Sequence, residues 1–339
     1  MTTSKTPLIE DVQARRPTTH LSLTRVGVTG VEKVVRISAE DLEPQLFYAQ
    51  LECFVDLDPT QKGAHMSRFE ETVNEAIEYV VLNEAFKAET LAAHIAELIR
   101  ERQDSLRAEV HITARYPEHK PAPVSGVQTQ EIYTLHGSAV ASETGTRRLV
   151  GVSAQGMTAC PCAQEMVTAA SRERLLADGF TDDEIERVFV HVPVATHNQR
   201  GLGTLWVGCP ERCNREIHGS HLLRIVEESM SSEIFELMKR PDELAVVERA
   251  HRRPRFVEDC VREQIRMAVE EFAEFEPDTF VMARQENLET IHEHNVVAER
   301  SGLLGEMRAE AAGGARAARH VTMREWLDGF PAAPTSVQP

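Results

Sequence analysis

An α+β fold is what this 339-residue sequence predicts, and three observations predict it. Phe47, Ala49, Leu51, Cys53, Val55 and Leu57 alternate with Tyr48, Gln50, Glu52 and Asp56, the period-two pattern of a half-buried strand. Phe69, Val73, Ile77 and Val80, and later Val257, Val261, Ile265, Ala268 and Phe272, recur at helical spacing. The order strand, strand, helix, helix, strand, strand reads off twice, the second time with insertions and without sequence identity between the halves.

Residues 1–22, with Pro7 and Pro17 among polar neighbours, read as a flexible lead-in. Strands are expected over 23–37 and 47–57, the second ended by Asp58-Pro59. Ser67 followed by Glu70 predicts a capping box and a helix start. A second helix follows through Leu91, Ile95 and Leu98, then a strand from Leu106 to Ala114, a proline-rich loop at Pro117, Pro121 and Pro123, and a strand from Glu131 to Ala139. The first module therefore covers 23–140.

A second module is expected over 141–300. It opens with a strand from Arg147 to Gly156 and a helix from Ala163 to Leu176, stopped near Gly179. Thr181 and Glu184 form another capping box, and Val188–Val194 and Leu202–Val207 read as short strands. Leu222, Ile225, Ile234 and Leu237 are assigned to one helix and Val257–Phe272 to the next, with strands over Thr279–Ala283 and Thr290–Ala298. Residues 301–339 form a C-terminal extension with a short helix at Met323–Leu327 and disorder over Pro331–Pro339.

Composition narrows the function classes. Hydrophobic residues make up 42% and charged residues 27%, the balance of an ordinary globular protein. A net charge of −17 argues against nucleic-acid and anionic-membrane partners. No signal-peptide pattern and no apolar run of about 18 residues is present, so a cytoplasmic protein is expected. Its cysteines are then reduced, and serve core packing, metal ligation or catalysis rather than a disulfide frame.

The chemistry centres on Met157-Thr158-Ala159-Cys160-Pro161-Cys162. A thiolate with nitrogen and oxygen partners suits a catalytic Zn²⁺ or Fe²⁺; a reversible dithiol and two packed thiols are the competing readings. Cys209 and Cys213 lack a second cysteine pair and read as a loop with incidental thiols. His197 stands in a polar run, Thr196-His197-Asn198-Gln199-Arg200, between apolar strands. His292 and His294 share a face if their segment is a strand, and lie in a polar turn if it is not. Glu243 falls in the first turn of a helix opened by Pro241, where the dipole alone favours a carboxylate. Glu258 lies at the edge of the 257–272 helix. His65 and Arg68, at a helix start after Gly63, suit an anion such as phosphate, although the cap needs no ligand.

Taken together, Lys62-Gly63-Ala64-His65-Met66-Ser67-Arg68-Phe69, Met157-Thr158-Ala159-Cys160-Pro161-Cys162, Thr196-His197-Asn198-Gln199-Arg200-Gly201, Lys239-Arg240-Pro241-Asp242-Glu243, Phe256-Val257-Glu258-Asp259 and Ile291-His292-Glu293-His294 resemble the signature runs of the prokaryote-specific type IB GTP cyclohydrolases, a group that includes the archaeal enzymes of methanopterin synthesis. The resemblance extends from about Arg25 to Glu299. It implies a tunnelling fold of two tandem ββααββ modules per chain, assembled into a homo-oligomeric barrel, expected as a tetramer, with sites at subunit interfaces. It implies that GTP is opened at C8 of its imidazole ring. Formate is released, and the product is 7,8-dihydroneopterin triphosphate or the 2′,3′-cyclic phosphate. Cys160, His197, Glu243 and His292, with His294 as the alternative histidine, would bind one Zn²⁺, Fe²⁺ or Mn²⁺. Cys162, His197 and Glu258 would be catalytic, Glu258 also holding the guanine edge, and His65, Arg68 and Arg200 would bind substrate. A non-catalytic purine- or pterin-binding module with a structural metal, and a dithiol redox protein, are the alternatives.

Overall fold

The computed structural model describes residues 12–37, 45–80, 87–211, 215–315, 317 and 319–329. The expected disorder of 331–339, much of the expected lead-in, and Cys213 lie outside them. The first six elements run β1 (Leu23–Ile37), β2 (Gln45–Leu57), α1 (Met66–Val80), α2 (Ala88–Gln103), β3 (Arg107–Pro121) and β4 (Gln128–Ser142). There follow β5 (Gly145–Ala159), α3 (Pro161–Ala177), α4 (Asp182–His191), β6 (Asn198–Cys209), α5 (Gly219–Ser229), β7 (Ser232–Glu233), α6 (Arg240–Arg252), α7 (Val257–Glu271), β8 (Phe280–Leu288), β9 (Val296–Leu303), α8 (Leu304–Ala311) and α9 (Met323–Leu327).

The chain divides into two compact units, Met1–Ala114 with Gly137–Arg148, and Arg115–His136 with Leu149–Pro339. In the first, β1 pairs antiparallel with β2 and β2 with β3, Leu51 opposite Ile112 and Cys53 opposite Val110. Their inward residues meet Phe69 and Val73 of α1 and Leu91, Ile95 and Ile99 of α2 in one buried cluster. The alternation along Phe47–Leu57 thus sends every second side chain into that core.

In the second unit the strand order ends β5-β6-β8-β9, with β7 on β5. β6 and β8 are antiparallel, Gly201 opposite Asn287, Gly203 opposite Gln285 and Leu205 opposite Ala283. A Cβ at Gly201 would come 2.3 Å from the buried Gln285 Nε2, so a side chain there would force that amide to move. Leu222, Ile225 and Val226 of α5 and Val257, Val261 and Ala268 of α7 are buried.

Several expectations are corrected. α1 begins at Met66, so Ser67 sits inside its first turn rather than capping it. The buried Gln103 instead holds the His65 backbone on both sides, accepting from its N–H at 3.2 Å and donating to its carbonyl at 2.8 Å. The proline-rich segment is strand as far as Pro121; the β2 ladder stops at Ala114, so Pro117 withholds no donor from it. Val188–His191 is helix, because the Thr181–Glu184 box winds α4 and Ile185 supplies its buried contact. Ile234 and Leu237 lie beyond α5, which ends where Ser229 Oγ turns back onto the Val226 carbonyl at 2.7 Å. Residues 290–295 form a bend rather than the start of a strand, with Thr290 Oγ1 donating to the Asn198 carbonyl at 3.2 Å.

Candidate active site

Cys160 follows β5 and caps α3, with Pro161 in the first turn, where its missing N–H costs nothing. Three bonds tie this corner to the run entering β6. The Cys160 N–H donates to the His197 carbonyl at 3.2 Å, Thr196 Oγ1 donates to the Cys160 carbonyl at 2.9 Å, and Gln164 Nε2 donates to the Val194 carbonyl at 2.7 Å. Behind it, the Arg255 N–H donates to the Ala159 carbonyl at 2.9 Å, while Ser231 Oγ accepts from the Ala159 N–H at 3.1 Å. Cys160 and His197 are therefore brought together, although they are distant in sequence. The two thiols differ: Cys160 is half-buried and Cys162, on α3, is exposed.

The His197 ring is 14% exposed. Its Nδ1 lies 3.1 Å from Gln199 Oε1, and Gln199 Nε2 donates to Glu289 Oε1 at 3.2 Å. Arg200, exposed on the other face of β6, donates to Gln155 Oε1 at 2.8 Å.

Glu243 is exposed in the first turn of α6, beside the fully buried Asp242. Asp242 accepts from the N–H groups of Val124, Ser125 and Lys239, each at 2.8 Å, and from Ser125 Oγ at 2.7 Å. Burial pushes its carboxyl up, but these donors outweigh burial and hold it well below the usual carboxylate range. Asp242 thus anchors α6 to the loop before β4 and aims the helix start that carries Glu243. Glu258 is exposed in the first turn of α7. His292 and His294, exposed in the bend between β8 and β9, stack with centroids 5.3 Å apart and planes 17° apart. They stand in a bend, the polar-turn alternative, rather than on one face of a strand.

In the first unit, His65 and Arg68 line a cleft of about 210 Å³ with Gln13, Asp56, Gln103 and Asp104. Arg68 Nη1 donates to the Arg102 carbonyl at 2.9 Å.

Sulfur and imidazole at the Cys160–His197 corner are the donor chemistry that a borderline divalent cation takes. Among the described residues no group of three His, Cys, Asp or Glu side chains is gathered for a metal ion. The backbones of two of the four expected ligands, Cys160 and His197, are thus joined, and Glu243 and His292 are not gathered with them. Gln199, Glu289, Gln103 and Asp242 carry bonds that the sequence reading did not assign. One signal was available: Gln285 and Asn287 alternate on one face of β8, and continuing the alternation reaches Glu289.

The family described as type I GTP cyclohydrolase folE2 matches residues 9–298. The chain is 41% identical over 306 residues to GTP cyclohydrolase MptA of Methanococcus aeolicus, covering 88% of this chain and 98% of that protein. It is 42% identical over 306 residues to GTP cyclohydrolase MptA of Methanothermobacter thermautotrophicus, covering 88% and 95%. Uricase from Arthrobacter globiformis aligns in structure with a TM-score of 0.50 at 7% identity, over 89% of this chain and 97% of that one. A hyper-thermostable AgUricase mutant gives 0.51 at 8% identity, over 90% and 96%. At such identities the likeness concerns the fold alone, a uricase-like tunnelling fold. The cyclohydrolase relatives set aside the non-catalytic and dithiol alternatives. The chain belongs to the type I GTP cyclohydrolase folE2 family and is a GTP cyclohydrolase.

Proposed function

We propose that the chain opens the guanine imidazole ring of GTP at C8, releases formate and forms a dihydroneopterin phosphate, with one Zn²⁺, Fe²⁺ or Mn²⁺ per site. The observation that carries this reading is the Cys160–His197 corner, where the Cys160 N–H donates to the His197 carbonyl and Thr196 Oγ1 donates to the Cys160 carbonyl, setting a thiol-bearing and an imidazole-bearing residue side by side. Glu243 and His292, with His294 as the alternative, are proposed to complete the ligand set. A cation held by these residues supplies an activated water at neutral pH.

The chain's own residues do the rest. Cys162, exposed on the first turn of α3, passes a proton to the departing ring nitrogen. Glu258 accepts from the donor edge of guanine, a charge-assisted contact that orients the base. His65, Arg68 and Arg200 are assigned to the ribose and triphosphate. A second hydrolysis frees formate, and rearrangement of the ribose closes the pterin ring. Two tandem ββααββ modules, assembled as a homotetramer with sites shared between subunits, form part of the same proposal, as does a role in pterin synthesis of the methanopterin type. The product is the triphosphate or the 2′,3′-cyclic phosphate, which phosphorus NMR of the product separates.

Metal-replete protein given GTP is expected to release formate and a product that fluoresces as a pterin after oxidation. No formate with Zn²⁺, Mn²⁺ or anaerobic Fe²⁺ would sink the proposal. Cys160→Ala is expected to lose the metal. Cys162→Ala is expected to keep it and lose roughly 10²–10⁴-fold in turnover, and equal metal loss in both variants would overturn this division of roles.

A further inference from the structure

We infer that Gln199 and Glu289 are positioning residues: the Glu289 carboxylate orients the Gln199 amide, and the amide fixes the tautomer in which His197 carries its proton on Nδ1 and presents the lone pair of Nε2. The consequence for metal binding rests on the proposed reading of His197 as a ligand; the tautomer does not.

The three groups form a chain. Glu289 Oε1 is 3.2 Å from Gln199 Nε2, and Gln199 Oε1 is 3.1 Å from His197 Nδ1. Glu289 Oε2 stands 3.9 Å from the same Nδ1. The chain is removed from water, with the Glu289 side chain 6% exposed and Gln199 6% exposed. At such sites a mismatched donor or acceptor is costly.

Direction follows from chemistry. The Gln199 NH₂ is turned toward Glu289, donating to its Oε1 at 3.2 Å. Its carbonyl oxygen then faces His197, and an oxygen can only accept, so Nδ1 must donate. The flipped amide would set its carbonyl against the carboxylate and leave both short of a donor.

Local structure holds the chain in place. Gln199 is the first buried position of β6, on the face that continues through Gly201 and Gly203. Glu289 directly follows β8, and Thr290 Oγ1 donates to the Asn198 carbonyl at 3.2 Å, which ties its loop to the start of β6. A histidine that ligates through one nitrogen is commonly fixed through the other, and losing that partner costs roughly 10–100-fold in metal affinity.

Long-range ¹H–¹⁵N correlation spectra of the metal-free protein, assigned by difference against His197→Ala, read which ring nitrogen is protonated. Wild type is expected to show Nδ1–H. Gln199→Leu is expected to admit the Nε2–H form and to weaken Zn²⁺ binding roughly 10–100-fold in chelator competition. The exchanged pair, Gln199→Glu with Glu289→Gln, restores an acceptor toward His197 and a donor between the two, and is expected to return both readouts toward wild type. An Nε2–H tautomer in wild type, or an unchanged Nδ1–H tautomer in Gln199→Leu, would overturn the inference. Wild-type Zn²⁺ affinity in His197→Ala beside an Nδ1–H tautomer in the native protein would instead overturn the ligand assignment, and with it the role in metal binding inferred here.

Discussion

Glu109 in the first unit carries a charge where the sequence shows only an alternating strand. It is 8% exposed and meets Arg25 at 3.0 Å, Arg107 at 2.7 Å and His111 Nε2 at 2.6 Å. His111 Nδ1 in turn lies 2.8 Å from Ser138 Oγ. Burial pushes the Glu109 carboxyl up, but the bonds and charges of His111 and Arg107 outweigh it and hold the pKa down to about 2, from 4.5. A folded value below the unfolded one gives stability that is complete above the unfolded value and lost as pH falls toward the folded one. The shift caps this contribution at roughly 3 kcal/mol. The urea midpoint of wild type is expected to fall more steeply from pH 5 to pH 3 than that of Glu109→Gln, and parallel curves would refute this. Local sequence marked the candidate-site residues 160, 197 and 289 unevenly. His197 stood out by its polar run, but Glu289 did not, since its role exists only once β6 and β8 pair.

The elements were most legible where one signal decided them. Phe47–Leu57 and Val257–Phe272 formed as their periods require, and the Thr181–Glu184 box is present with both of its bonds. Misreadings fell where local and tertiary signals compete, as at the β-branched Val188–Val192 stretch, largely captured by the capped helix before it. That cap matters because α4 has one buried side chain, Ile185, and α3 has none. With little burial to hold them, these helices depend on their ends. Thr181→Ala should cost about 1 kcal/mol. It should appear as faster amide exchange at 182–185 with no change in the global unfolding midpoint; an unchanged exchange rate would show that the cap is not what holds α4.

At the scale of the molecule, the described part of the C-terminal extension, α8 and α9, belongs to the packing of the second unit. The family match ends at residue 298, yet Trp326 of α9 is 2% exposed, donates from Nε1 to the Asp278 carbonyl at 2.9 Å and packs against Phe280 with centroids 5.8 Å apart. Gly208 leaves the room for it, since a Cβ there would meet the indole at 2.8 Å. α8 adds Arg308, whose Nη2 donates to the carbonyls of Phe272, Ala273 and Phe275 beyond α7. Trp326→Ala should destabilise the protein by about 3–5 kcal/mol in chemical denaturation, and a loss below about 1 kcal/mol would show the extension to be peripheral. Sequence alone foresaw the short helix at Met323–Leu327 but gave it no role, because only the folded β6–β8 surface shows a socket for its tryptophan.

Cys160 and Cys162 are two residues apart, but the chain anchors them differently. The Cys160 backbone is bonded to the strand-entry run at Thr196 and His197, whereas Cys162 rides on a helix that buries no side chain. Cys53, Cys209 and Cys260 are buried and Cys160 is half-buried, which leaves Cys162 as the exposed thiol among the described cysteines. Among the described thiols, a thiol-directed probe from solvent thus meets Cys162 first. One label there would follow the motions of α3, while the Cys160 corner stays as the fixed reference against which that movement is measured.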